Sequence, residues 1–135
     1  MYADLLSDFL VSSDTFRAYK DGKLLFASTR DGLFPLLDFI NSFVPPSPRV
    51  VFDKIMGNAA ALLCVRAACR EVYSPLGSKL AVTTLDRYGI SYQITRLVPY
   101  IRRPYSEEMC PMEAMSLNKS PNEFYDAVRA FLSTH

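Results

Sequence analysis

The stretch Arg49-Val50-Val51-Phe52-Asp53-Lys54-Ile55-Met56-Gly57-Asn58-Ala59-Ala60-Ala61-Leu62-Leu63-Cys64 changes character partway through. Val50, Val51 and Phe52 are β-branched or aromatic, the composition of a short buried strand. From residue 55 to 69 the chain is rich in Ala and Leu and apolar on nearly every face, which predicts a helix over 55–69. A helix with no polar face belongs at the centre of a domain, packed on a sheet. A strand running directly into a buried helix is a unit of α/β architecture.

Upstream, Leu5, Leu6, Phe9 and Leu10 recur at helical spacing and predict an opening helix over 3–11. Asp21-Gly22 between Phe16-Arg17-Ala18-Tyr19 and Leu24-Leu25-Phe26-Ala27 signals a tight hairpin, because both turn residues tolerate positive φ. A second helix near 33–43 has Pro35 in its first turn and stops before Pro45-Pro46. Downstream, Glu71-Val72-Tyr73 reads as a short strand, and Ser78 caps a helix over 79–88 that ends at Gly89. Residues 90–98 read as the final strand. Ser120-Pro121-Asn122-Glu123 is a capping box opening the last helix, to about Leu132. The least regular stretch is 99–119, a length that in a compact domain signals partial structure or function. The order predicts one domain over 1–135, a three-layer α/β/α sandwich on a five-stranded mixed sheet.

Composition narrows the class. Half of the 135 residues are apolar and the formal net charge is +1, so no basic excess exists to track a nucleic-acid backbone. No apolar run approaches the roughly 20 residues needed to cross a bilayer. The start is acidic where a secretory leader is basic. Cys64, Cys69 and Cys110 are an odd set; Cys64 and Cys69 fall in one predicted helix, on faces poorly placed to meet. A cytoplasmic protein with reduced thiols is expected, with no nucleic-acid or membrane partner.

Five segments carry a family resemblance. They are Lys20-Asp21-Gly22, Gly32-Leu33-Phe34-Pro35-Leu36-Leu37-Asp38, Asp53 through Ala61, Leu97-Val98-Pro99-Tyr100-Ile101 and Met109-Cys110-Pro111-Met112-Glu113. In this order they resemble domain-of-unknown-function family 1893, small proteins with a cytidine-deaminase-like fold. The resemblance implies that fold, and deaminase-like folds often form homo-oligomers. Zinc deaminases carry H-x-E or C-x-E at the start of the central helix and P-C-x-x-C at the start of the next. Here Asp53-Lys54-Ile55 and Ser74-Pro75-Leu76-Gly77-Ser78 stand in those places, and the one histidine is His135. No zinc site and no cofactor are therefore expected.

Two constellations remain. Asp53-Lys54 falls at the carboxyl end of an inner strand and at the expected N-terminus of the central helix, where open α/β sheets gather ligands and helix dipoles favour anions. Lys54 would contact an anion, Asp53 would act as a base or anchor, and Gly57 and Asn58 would let a ligand approach. The alternative is a plain helix cap. In Cys110-Pro111-Met112-Glu113, Pro111 suits the first position of a short helix, with Cys110 as N-cap and Glu113 closing a capping box. A thiol so placed is inclined toward thiolate, making Cys110 a candidate nucleophile with Glu113 as proton carrier. The alternative is a buried, inert turn cysteine. Cys64 and Cys69 read as core. Arg102-Arg103, with Tyr100 and Tyr105, read as a solvated loop before a phosphate contact. The functional expectation is a small nucleotide- or nucleobase-like ligand bound or acted on between Asp53-Lys54 and Cys110–Glu113. The other is a non-catalytic interaction or regulatory domain on the same scaffold.

Overall fold

A computed structural model describes residues 2–42 and 49–133. The chain runs α1 (Tyr2–Val11), β1 (Phe16–Lys20), β2 (Lys23–Ser28), α2 (Phe34–Ser42), β3 (Arg49–Asp53), α3 (Asn58–Arg66), β4 (Cys69–Ser78), α4 (Lys79–Arg87), β5 (Ser91–Val98), α5 (Pro111–Ser116) and α6 (Pro121–Ser133). The sheet has five strands in the order β2-β1-β3-β4-β5. β1 is antiparallel to both neighbours, whereas β3, β4 and β5 run parallel. The mixed five-stranded sheet of the sequence reading is thus observed. Pro45-Pro46 and His135 lie outside the described residues.

Local chemistry explains the turns and caps. Asp21 and Gly22 take φ of 51° and 77°, the paired positive values that let a two-residue turn follow the twist of its strands. Ser78 Oγ accepts the Ala81 N–H at 3.1 Å, and Gly89, at φ 71°, follows α4. The Ser120–Glu123 box closes in both directions, Ser120 N–H to Glu123 Oε1 at 2.8 Å and Glu123 N–H to Ser120 Oγ at 3.1 Å.

The central helix departs from its expected span of 55–69 at both ends. Met56 stays extended because it bridges β4: its N–H bonds the Leu76 carbonyl at 2.8 Å, and its carbonyl accepts the Ser78 N–H at 3.1 Å. α3 therefore starts at Asn58, with Gly57 as N-cap, and neither Asp53 nor Lys54 caps it. At the far end Ala68 adopts φ 58° without the glycine that usually marks such a stop, and Cys69 opens β4. Cys64 and Cys69 thus belong to different elements, and the two thiols meet as hydrogen-bond partners. That contact, followed by burial, pushes the Cys64 thiol well up from its ordinary range. β4 is also longer than the expected 71–73. It continues through Pro75, which falls between the paired positions Ser74↔Ile94 and Leu76↔Arg96, and so absorbs the whole Ser74–Ser78 segment.

Strand alternation sorts the core into two clusters. Phe16, Ala18, Val51 and Val72 face α2, α3, α4 and α6, where the small side chains of Ala59, Ala60 and Ala61 let α3 sit close to the sheet. Val50, Phe52 and Tyr19 face α1, whose Tyr2, Leu5, Leu6 and Phe9 form one stripe. One helix covers one face and the remaining long helices the other, giving three unequal layers. Leu10, expected on the buried stripe, is 44% exposed instead. Among the described residues no helix is long and apolar enough to cross a membrane.

Phe52 is fully buried beneath α1, with ring centroids of Tyr19, Tyr73 and Phe9 at 4.9, 5.2 and 5.7 Å. Phe52→Ala is expected to lower unfolding free energy by about 3–5 kcal/mol, read by chemical denaturation. A loss below about 1 kcal/mol would mean that α1 does not hold this face.

Candidate functional site

At the carboxyl end of β3 the chain turns through Gly57 into α3, and the first backbone N–H groups of that helix have no partner within it. Glu113, reaching in from α5 and 2% exposed, supplies one. Its Oε1 accepts the Asn58 N–H at 2.5 Å, and its Oε2 accepts the Ile101 N–H at 2.7 Å. A single carboxylate thus caps α3 and fastens the segment that follows β5. The sequence reading had Glu113 closing a capping box on its own helix. That box does not form, because the Cys110 N–H is bonded to the Ile101 carbonyl at 2.8 Å and the Cys110 side chain makes no cap bond. The same contact crowds Gly57: a Cβ there would lie 3.1 Å from Glu113 Oε1 and 3.0 Å from Ile101 Cγ1, so both side chains would have to shift by a few tenths of an ångström.

Asn58 extends the network in the other direction. Its Nδ2 donates to Ser116 Oγ at 2.9 Å, its Oδ1 accepts from the Thr84 hydroxyl, and Ser116 Oγ donates to the Glu113 carbonyl at 2.6 Å. Three helices are joined through groups that are nearly all satisfied, the condition under which a buried polar network orders a structure. Nothing local in the sequence signals Thr84 or Ser116, since both bond across the fold.

Beside Glu113 a cavity of about 170 Å³ is walled by Gly32, Leu33, Ile55, Ala59, Ala60, Ile101 and Met112, with Gly57, Cys110 and Glu113 completing it. Three of the six expected site residues therefore converge. Cys110 is half-buried at this wall. Asn58 sits one residue away with its side chain turned into the network described above.

Asp53 and Lys54 do not join them. Lys54 Nζ donates to the Ser12 carbonyl at 3.1 Å and lies 4.9 Å from the Phe9 ring centroid, so its charge is directed toward α1. Asp53 is buried on the α3 side of β3 and accepts the Ile55 N–H at 3.3 Å. Burial raises its pKa from 3.8 to about 7, against the opposing hydrogen bonds of the Ile55 and Lys54 backbone. Among the described residues no three His, Cys, Asp or Glu side chains gather as a metal site. Arg102 and Arg103 pair with Glu107 and Glu108 at 2.8 and 3.7 Å on an exposed excursion closed by an Arg102–Met109 bridge.

Fold and site together define a three-layer α/β domain whose candidate site lies where the parallel strands β3 and β4 deliver their carboxyl ends. The sequence matches the domain of unknown function DUF1893 over residues 8–132, and the chain belongs to that family. Its structure is similar to the crystal structure of a DUF1893 family protein from Thermotoga maritima, with a TM-score of 0.84 and 26% sequence identity, over 98% of this chain and 88% of that one. No functionally curated protein matches the chain.

Removing the Glu113 carboxylate leaves the Asn58 and Ile101 N–H groups buried without an acceptor. Glu113→Ala is expected to cost about 2–4 kcal/mol of stability in chemical denaturation, and Glu113→Gln less, because one oxygen remains.

Asp53 imposes a pH dependence of known sign. Its raised pKa means that the folded state holds the proton more tightly than the unfolded chain. The associated stability is fully present below pH about 4 and is lost as pH rises to about 7. Asp53→Asn is expected to flatten the stability profile across that window, measured by denaturation at fixed ionic strength. An unchanged slope would show that Asp53 is not the group responsible.

Proposed function

We propose that this protein binds a small, uncharged ring compound of nucleobase size in the cavity lined by Gly57, Cys110 and Glu113. The convergence of these three residues on one largely apolar cavity carries the reading. A volume of about 170 Å³ is below the ~300–1,000 Å³ of drug-sized sites and suits one ring system rather than a whole nucleotide. The position at the α3 N-terminus that would attract a ligand's phosphate is filled by the protein's own carboxylate. Each Glu113 oxygen accepts one backbone N–H and has a second lone pair, so the group favours a ligand that offers N–H donors. The deaminase-like resemblance of the sequence supplies the choice of a nucleobase among such compounds.

In this reading Glu113 orients the ligand and the Cys110 thiol contacts it. Asp53 and Lys54 take no direct part, since neither lines the cavity. Free nucleobases are expected to slow alkylation of Cys110 in a saturable manner, read by intact-mass spectrometry. Ile55→Trp, a substitution at a half-exposed wall residue, is expected to fill the cavity and abolish that protection. Alkylation at the same rate with every nucleobase present, in wild type and variant alike, would remove the basis for a site here.

A further inference from the structure

A second, larger cleft lies where α4, α5 and α6 meet. Its volume is about 480 Å³, and its floor is the network of Asn58, Thr84 and Ser116. Two cationic side chains, Arg87 and Lys119, line it, and no carboxylate does. Lys119 is held in place: its Nζ donates to the Met115 carbonyl at 2.6 Å, leaving two N–H groups for another acceptor. Arg87, exposed in the last turn of α4, has no ion-pair or hydrogen-bond partner among the described residues. Ser120, the N-cap of the 13-residue α6, adds a hydroxyl and the positive end of that helix to the wall.

The chemistry of this lining is opposite to that of the Glu113 cavity. A guanidinium fork, an ammonium group and nearby hydroxyls match a tetrahedral oxyanion, which accepts several charge-assisted hydrogen bonds at once. The cleft is far roomier than an inorganic ion requires, and the Tyr88 ring, 41% exposed, stands in its wall with Leu80. We propose that this cleft binds a phosphate monoester, with the phosphate between Arg87 and Lys119 and the organic group against Tyr88 and Leu80. The neighbouring carboxylate is Glu123, which is held on Ser120 and interacts with Lys119, so it competes with the ligand for that charge. This site shares no lining residue with the cavity beside Glu113 and does not depend on it.

The test is titration of the full chain at low ionic strength with inorganic phosphate and with phenyl phosphate, followed by amide NMR and calorimetry. Saturable shifts at Arg87, Lys119 and Ser120 are expected, with phenyl phosphate the tighter ligand and binding weakening as salt is added. Arg87→Gln and Lys119→Gln are each expected to weaken binding roughly tenfold, the scale of one charge-assisted hydrogen bond. Glu123→Gln keeps an acceptor for the Ser120 N–H while removing the competing charge, and is expected to tighten binding, which mere disturbance of the fold would not do. Ile55→Trp is expected to leave phosphate binding unchanged. Absence of saturable binding would overturn the proposal. So would binding indifferent to both Gln substitutions, or binding lost in Ile55→Trp. Equal affinity for the two ligands would overturn the placement of the organic group against Tyr88.

Discussion

The buried carboxylate of Glu113, set against the N-terminus of α3, is the constraint on which the carboxyl-terminal part of the structure depends. It connects three pieces distant in sequence: the start of the central helix, the backbone at Ile101 and the short helix α5. A carboxylate in this position benefits from the helix dipole and satisfies donors that would otherwise be buried unpaired. Met112 and Met115 of α5 pack against the main core, and the Glu113–Asn58 bond adds a polar tie between segment 99–119 and the start of α3. The small size of Gly57 suits the same constraint, because a Cβ there comes tight against Glu113 and Ile101.

That arrangement also divides the chemistry of the molecule. In many α/β domains the helix N-terminus beyond an inner strand receives a ligand's anionic group. Here the protein supplies its own anion there, and the adjoining cavity is left apolar with a hydrogen-bond-accepting edge. Positive charge is moved elsewhere: Lys54 to α1, Arg102 and Arg103 to their glutamate partners, and Arg87 and Lys119 to the cleft between α4, α5 and α6. Asn58 and Ser116 line the larger cleft, and neither of them lines the smaller cavity. Their linings are opposite in charge: Glu113 lines the smaller cavity, whereas Arg87 and Lys119, and no carboxylate, line the larger cleft.

What could be read from sequence, and what could not, follows the range of the interactions. The Asp21-Gly22 turn, the Ser78 cap and the Ser120–Glu123 box involve partners within three residues, so their signatures were legible and the structure has them. The start of α3 was misplaced because Met56 is held extended by β4, a partner some twenty residues away, whereas its own neighbourhood reads as helix. Cys69 was read as helical because Ala68 gives no warning that it takes a left-handed conformation. Cys110 and Glu113 were singled out by type and spacing, and both line the smaller cavity, but the acceptor role of Glu113 was assigned to the wrong helix.

By itself the sequence determined the α/β class, the number of strands and the caps of α4 and α6, because hydrophobic periodicity and capping act over a turn or two of chain. Only the tertiary structure decided which buried donors meet which acceptors. Lys54 and Asp53 are adjacent in the chain, yet one reaches toward α1 and the other is enclosed on the α3 side. Glu113, 55 residues beyond Asn58, became the cap of its helix. The physical reason is that satisfying a buried polar group is a requirement of the whole packed fold, and short-range pattern carries no information about who will be next to it.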